Sequence, residues 1–457
     1  MLKKFTNACV KLVDKYLPDP FLFAVVLTII CYLAAVIFTG NSPLDVLAAW
    51  GNFSSGIWNL LKFSMQTSMI VVFGSALAKT PAFTKMINKL ASYATSNTKA
   101  IILITIVSAV ISWVNYGLGL ICGALLGKAI AKRLHTVDYR LLIASAYSGF
   151  VIWHQGLSGS IPLTISTGFD VEGLGTIQAD ITQTIFHPAN LITVVVCIAV
   201  LCVVNVAMQP DAEHLVTVDP ALLKDEKEYV YEINTPADKL EHSKIMWALT
   251  CILGWAYIVY YFASYAASGK SILNGLGRDS VNLVLLFAGI LLHGDLRRYV
   301  DAIKDSVSSV AGVILQYPFY AGIMAIMVVA DANGASLATI ISNFFVSISN
   351  KVTFPMFAFW SAGIVNFLVP SGGGQWSVQA PVMMTAAKEL GVSTNVATMA
   401  IAFGDQWTNM IQPFWALPAL AVANLRAKDI MGFMCVVTIA TGIVFTGGIL
   451  LWAVMVA

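Results

Sequence analysis

Charge is scarce in this chain. Only 11% of its 457 residues are Asp, Glu, Lys or Arg and 58% are hydrophobic, against roughly 25% charged in an ordinary globular domain. Such a balance excludes a chain folded for water alone. The net charge is +2, and no basic block of the kind that tracks a phosphate backbone stands out, which argues against a nucleic-acid partner. Cysteine is sparse: the seven, at positions 9, 31, 122, 197, 202, 251 and 435, fall mostly in apolar runs and form no C-x-x-C pair. They read as small hydrophobes rather than disulfides or zinc ligands. Chemical signatures are missing too. H-E-x-x-H, G-x-S-x-G and G-x-x-x-x-G-K-[ST] do not occur, so metal hydrolysis, serine catalysis and a phosphate loop find no support. No catalytic residue, metal or cofactor is expected. A membrane enzyme such as an acyltransferase would need a His or carboxylate cluster, whereas the six histidines (135, 154, 187, 214, 242, 293) are scattered.

What is abundant is apolar sequence in runs that reach the ~20 residues needed to span a bilayer, such as FLFAVVLTIICYLAAVIF (21–38) and MGFMCVVTIATGIVFTGGILLWAVMVA (431–457). The expected fold class is an all-α polytopic membrane protein with about 10–12 membrane segments, in contact with the lipid bilayer. Spans are predicted at 21–38, 64–79, 100–131 (broken), 141–157, 188–207, 245–267, 280–293, 306–330, 354–387 (broken), 395–424 (broken) and 430–457. Lys3, Lys4, Lys11 and Lys15 make residues 1–20 an amphipathic cytoplasmic segment before an uncleaved first span. The Lys/Arg clusters at 79–99, 128–140 and 297–304 suit cytoplasmic ends, and the acidic stretch 158–187, without Lys or Arg, suits an outer loop.

Residues 209–244 are dense in charge and hold three prolines; they form a soluble linker between a first membrane repeat (21–208) and a second (245–457). A weak echo joins the halves. SNTKAIILITIVSAVISWVNYGLG (96–119) and SNKVTFPMFAFWSAGIVNFLVPSGGG (349–374) each end in Val-Asn before glycines. SAYSGFVIWHQGLSGSIPL (145–163) pairs more loosely with AFGDQWTNMIQPFWALPAL (402–420). Two halves with interrupted segments form the pattern of a repeat-built transporter, against which stands chance similarity of apolar runs.

From Val352 to Ala387 no side chain is charged, yet NFLVPSGGGQWSVQAP (366–381) carries three glycines in a row. Non-helical backbone at membrane depth is tolerated only when buried in protein or lining a wet cavity. The sequence predicts a helix to about Val369, a turn at Pro370-Ser371-Gly372-Gly373-Gly374, and a helix from near Gln375 whose first N–H groups form an anion site. Asn366, Ser371, Gln375, Trp376 and Ser377 flank that turn as candidate contacts; a structural hairpin is the rival reading. In the first half, the break falls at Asn115-Tyr116-Gly117, which makes Asn115 and Gly117 ligand candidates. Gly119, Gly123, Gly127 and Ala131 form a small-residue helix contact face.

Asp405 is the one charged residue well inside a predicted span. It is either the N-cap of a helix from Gln406 or an ion-coupling carboxylate, the two being compatible. Thr408 joins it as an ion-coupling candidate, and Asn409 and Gln412 follow at helical spacing on the same face. His154, either a proton relay or a satisfied interfacial histidine, stands with Gln155, Ser158 and Ser160 in a donor-rich segment. Trp153, Trp376, Trp407 and Trp415 lie near these segments, as pocket walls or as interface anchors.

These blocks carry a resemblance. DKYLPDPFLFA, NYGLGLICGALLGKAIAKR, FPMFAFWSAGIVNFLVPSGGGQWSVQAP, GDQWTNMIQPFWALPAL and AKDIMGF together are similar to the bacterial short-chain fatty acid transporter family of the acetoacetate and butyrate uptake type, from residue 14 to about 434. The resemblance implies secondary import of short monocarboxylates across the bacterial inner membrane, inverted repeats with re-entrant hairpins and, from the wider group, a homodimer. Because the predicted spans offer no Lys or Arg to a carboxylate, helix N-termini and amides must meet it, with co-transported Na⁺ or H⁺. A dicarboxylate transporter, a uniporter and a passive channel are the alternatives.

Overall fold

The computed structural model describes residues 2–16, 19–171, 174–218, 231–269, 272–275 and 278–456. Among them are twenty-one α-helices. The first half contains α1 (Leu2–Tyr16), α2 (Pro20–Phe38), α3 (Pro43–Gly51), α4 (Leu61–Ala78), α5 (Pro81–Ala91), α6 (Asn97–Val114), α7 (Tyr116–Arg133), α8 (Tyr139–Ser148), α9 (Ser160–Thr167) and α10 (Pro188–Ala207). The second contains α11 (Pro236–Glu241), α12 (Lys244–Ala267), α13 (Arg278–His293), α14 (Leu296–Val307), α15 (Ala311–Val328), α16 (Leu337–Ser347), α17 (Phe354–Leu368), α18 (Gly372–Glu389), α19 (Thr394–Thr408), α20 (Pro413–Ala423) and α21 (Ala427–Val456). One small antiparallel hairpin, Phe169–Val171 with Gly175–Ile177, interrupts the helices.

Local signals explain many of the starts. Asp19 caps α2 by accepting from Phe21 N at 2.9 Å, and Ser42 and Asp45 form a reciprocal capping box at α3. Proline at the first helical position opens α2, α3, α5 and α10, where its missing N–H costs nothing. By length and composition α2, α4, α6, α10, α12, α15 and α21 can each cross a bilayer, and α13, α16, α17 and α20 are shorter apolar helices. The chain is a multi-pass helical membrane protein.

Most predicted spans coincide with helices, but several boundaries move. The span expected at 306–330 is divided: its first two residues end α14, a 3₁₀ turn follows at Ser308–Val310, and the long helix α15 begins only at Ala311. Helices α3, α5, α14 and α16 were not expected; they are short, and α5 and α14 carry the basic clusters that read as span ends. The linker's far end is docked rather than loose: His242 Nδ1 lies 2.9 Å from Asp295 Oδ2, and Arg297 reaches Glu241 at 3.0 Å. Residues 219–230 of that linker lie outside the described residues.

The broken segments recur in the same order. In the first half α6, a break, α7, α8, a 3₁₀ turn (Gly149–Gln155) and α9 follow one another; in the second, α17, a break, α18, α19, a 3₁₀ turn (Asn409–Ile411) and α20 do. The register of the echo differs from expectation. Asn115 is itself the break residue, whereas Asn366 lies inside α17 and Ser371 occupies the position equivalent to Asn115. The glycine face of α7 packs as expected: a Cβ on Gly123 would lie 2.5 Å from Ser108 Oγ, and one on Gly127 3.2 Å from Ile104 Cδ1, both side chains of α6.

Candidate functional site

Four helices begin around one cavity of about 380 Å³, within the size range of small-molecule sites. Asn115 and Tyr116 come from the start of α7, Ser158 and Ser160 from the start of α9, Ser371, Gly372 and Gly373 from the start of α18, and Trp415 from the first turn of α20; Leu60, Phe63, Trp153 and Leu163 complete the wall. No lining side chain is charged. A helix N-terminus carries the positive end of the peptide dipoles and its first N–H groups lack partners within the helix, so convergence of the ends of α7, α9 and α18 makes an electropositive chamber without a cation.

The N-caps hold these ends in place. Asn115 Oδ1 accepts from Leu118 N at 3.1 Å, and Ser371 Oγ from Gly374 N at 3.4 Å. Ser158 Oγ accepts from Tyr116 N at 3.1 Å, which ties the 156–160 segment to the α6–α7 break. The α18 helix therefore starts at Gly372, three residues before the expected Gln375, and the glycines form its first turn instead of preceding it. A Cβ on Gly372 would come to 2.5 Å from both His154 Nε2 and Ser160 Oγ, while one on Gly373 would meet nothing within 4 Å. The first glycine lets α18 dock against the histidine; the second opens onto the cavity.

The apolar side of the chamber is aromatic. Trp415 packs with Tyr116, Trp153 and Phe63 at centroid separations of 5.4, 5.6 and 5.7 Å. The indole N–H groups of Trp153 and Trp415 are buried without a hydrogen-bond partner, which is costly in an apolar setting unless something else accepts them. Trp376 is also buried but packs edge-on against Phe169, and Trp407 donates to Thr438 O at 2.7 Å. Trp153, Trp376 and Trp415 are buried inside the protein rather than placed as interface anchors, and Trp407 is half-buried.

Behind the wall lies a polar layer. His154 is fully buried, not interfacial; its Nε2 meets Ser160 Oγ at 2.9 Å and its Nδ1 lies 3.1 Å from Asp405 Oδ1. That second distance is an ion-pair separation, but the alignment is not that of a hydrogen bond, and neither carboxylate oxygen of Asp405 receives one. Asp405 sits in the last turns of α19, so it is not the N-cap of a helix from Gln406. Its position follows from the crossing of α17 and α19, where a Cβ on Gly404 would fall 2.8 Å from Gly363 N. Close backbone approach of this kind is what small residues permit between membrane helices.

Other candidates serve this layer and do not line the cavity. Asn366 Nδ2 donates to Asp405 O (2.7 Å), Thr408 Oγ1 (2.9 Å) and Asn409 Oδ1 (2.9 Å), and Gln412 Nε2 to Asn409 Oδ1 (2.8 Å). Asn409, the helical C-cap of α19 (φ −56°, ψ −24°), follows Asp405 at the expected spacing, whereas Gln412 is extended (φ −115°, ψ 145°) and does not continue Asp405's helical face. Gln375 donates to Ala362 O at 2.8 Å and to Gln379 Oε1 at 2.7 Å. Gly117 and Gly374 face protein, near Ile70 and Met324; the Ser377 side chain lies outside the described part of the structure.

Sequence reasoning missed Leu60, Phe63, Tyr116 and Leu163 in the wall, and Gln406 and Asn190 behind it. Gln406 Oε1 accepts from His154 N (3.0 Å) while its Nε2 donates to Gln155 Oε1 (3.0 Å), and Gln155 Nε2 donates to Asn190 Oδ1 (3.0 Å). Amides inside apolar runs were the available signal for both. Another cavity, of about 250 Å³ and bordered by Lys351, Ser393 and Leu450, is largely aliphatic and lacks a comparable convergence of helix ends.

Comparison with known proteins follows the same line. The profile of the family described as short chain fatty acid transporter matches residues 1–452. A protein of Escherichia coli (strain K12) is 36% identical over 456 residues, covering 99% of this chain and 100% of its own length, and one of Haemophilus influenzae (strain ATCC 51907 / DSM 11121 / KW20 / Rd) is 38% identical over 461 residues, covering 98% and 99%; both carry provisional short-chain fatty acid transporter names. Among solved structures, the chain is similar to the Alcanivorax borkumensis YdaH transporter (TM-score 0.42, 15% identity, 96% of this chain and 99% of that one). It is also similar to Neisseria gonorrhoeae MtrF (TM-score 0.34, 12% identity, 97% of each chain).

Proposed function

The chain belongs to the short-chain fatty acid transporter family, and from that premise we propose that it is a secondary active transporter importing monocarboxylates such as butyrate and acetoacetate across the bacterial inner membrane by cation symport. The observation that carries this reading is a cavity onto which the N-termini of α7, α9 and α18 converge, with no charged side chain among the described residues that line it. The substrate is one carboxylate on a short alkyl tail. Its carboxylate is met by the ends of α7, α9 and α18, through Asn115, Ser158, Ser160, Ser371 and the backbone at Gly372 and Gly373; its tail lies against Phe63, Trp153 and Trp415. A second carboxylate would find no fixed cation, which disfavours dicarboxylates. Asp405, with Thr408 beside it, supplies the site for the coupling cation, and alternating access carries both across.

Uptake of radiolabelled butyrate into proteoliposomes, with Na⁺ and pH gradients imposed separately, tests this. Saturable uptake accelerated by one gradient is the expected result. Saturable uptake indifferent to both would make the protein a uniporter, and uptake that never saturates would make it a channel.

A further inference from the structure

The buried pair behind the cavity says more than that some cation is carried. Three groups meet in a row: Ser160 Oγ, which lines the cavity, the His154 ring, and the Asp405 carboxylate, with 2.9 Å between Ser160 and Nε2 and 3.1 Å between Nδ1 and Oδ1. His154 and Asp405 are both fully buried, and Nδ1, Oδ1 and Oδ2 are without hydrogen bonds. A neutral ring has two forms here: with Nε2–H donating to Ser160, the Nδ1 lone pair faces the carboxylate oxygen, and with Ser160 donating to Nε2, Nδ1–H faces it. In either tautomer one added proton makes an imidazolium that donates from both nitrogens and supplies the buried carboxylate with a counter-charge. A sodium ion is a hard cation that takes oxygen ligands, and here the nearest neighbour of Oδ1 on this side is a nitrogen.

We infer that His154 and Asp405 together hold one exchangeable proton that enters as the monocarboxylate binds, so that H⁺ is the coupling ion of the transport proposed above. The proton comes from water and completes the His154 imidazolium with one N–H bond, at whichever ring nitrogen carried the lone pair, with the Asp405 carboxylate as its counter-ion; on release that bond breaks and the proton returns to water. The cavity and the pair lie on two sides of the same ring, because Gly372 brings the start of α18 against His154. With anion and proton both aboard, the translocated load is neutral, which matters where each uncompensated charge in a bilayer is expensive. By linkage, the pair's proton tightens substrate binding and the substrate retains the proton to the same degree.

Other titratable groups do not replace this pair. From the elements packed against residues 149–155 they are Tyr116, Tyr139 and Tyr147 and the thiols Cys122, Cys197 and Cys202, with Lys99, Lys128, Lys132, Arg133 and Arg140 a dozen or more residues along their helices from the α6–α7 break or from His154. Tyr147 donates its hydroxyl to Asn409 O at 2.7 Å. Around α19, Lys388 and Glu389 end α18, while Lys428 and Asp429 begin α21, which also carries Cys435.

The test is a titration of the full-length purified protein with butyrate in weakly buffered solution, following proton uptake and bound butyrate together, with and without Na⁺. Wild type is expected to take up about one proton per butyrate, independently of Na⁺. His154→Gln and Asp405→Asn are expected to bind butyrate more weakly than wild type and without proton uptake. Butyrate binding by wild type that takes up no proton, or that requires Na⁺, overturns the inference even if both variants fail to fold; so does proton uptake persisting in either variant. Absence of butyrate binding by wild type would instead overturn the substrate assignment on which the inference rests.

Discussion

The cavity and the layer behind it are deficient in opposite ways. The cavity gathers helix N-termini and the rings of Trp153 and Trp415, whose buried indole N–H groups lack partners, and no described side chain lining it is charged. One ring-width away, Asp405 presents an anion that receives no hydrogen bond. Donors without an acceptor and an acceptor without donors are each costly to bury, and each is relieved by a different ion. In the transport cycle we propose, the contrast separates two tasks: the wall receives a carboxylate that comes and goes, and the layer keeps the counter-charge for the coupled cation.

The contrast can be broken at several points, and Gly372→Val is expected to act most strongly. Its side chain would collide with His154 and Ser160, and butyrate uptake into proteoliposomes should fall to background; retained uptake would show that α18 need not dock on the histidine. Asn366→Ala removes a donor shared by three acceptors in the buried layer. It should lower unfolding stability by about 3 kcal/mol, seen as a lower thermal midpoint in detergent. Phe63→Ala acts on the other region, enlarging the aromatic wall. It should raise the KM for butyrate about tenfold relative to hexanoate, a differential of ~1.4 kcal/mol. Ser371→Ala removes one N-cap at the cavity and should raise the butyrate KM about fivefold, in keeping with the ~1 kcal/mol of such caps.

Much of this was legible from residues alone, and the misses have physical causes. Asn115 was readable as a break because a polar residue before glycines ends an apolar run, and it is both C-cap of α6 and N-cap of α7. The glycine triplet was readable as a helix start on a cavity, but its register was not: Ser371 takes the N-cap, so the helix begins earlier than composition suggests. Gly404 misled in the other direction. It reads as a helix breaker before Asp405, yet its role is contact with α17, and tertiary packing is invisible in a single run of sequence. The same holds for His154, whose burial depends on α18 and α19 arriving from the other half of the chain. Phe63 and Leu60 carry no local sign of lining a cavity. Apolar residues at the start of α4 look alike whether they face lipid or substrate.

The most direct test of the central claim, that the chamber between helix N-termini holds the carboxylate, is equilibrium binding of radiolabelled butyrate to purified wild type and Gly373→Leu. A Cβ at this position meets nothing within 4 Å, so the fold accommodates it while the side chain enters the cavity. The account predicts at least about a tenfold loss of affinity with the thermal midpoint within about 2 °C of wild type. Unchanged affinity in a folded variant would contradict it and move the substrate elsewhere.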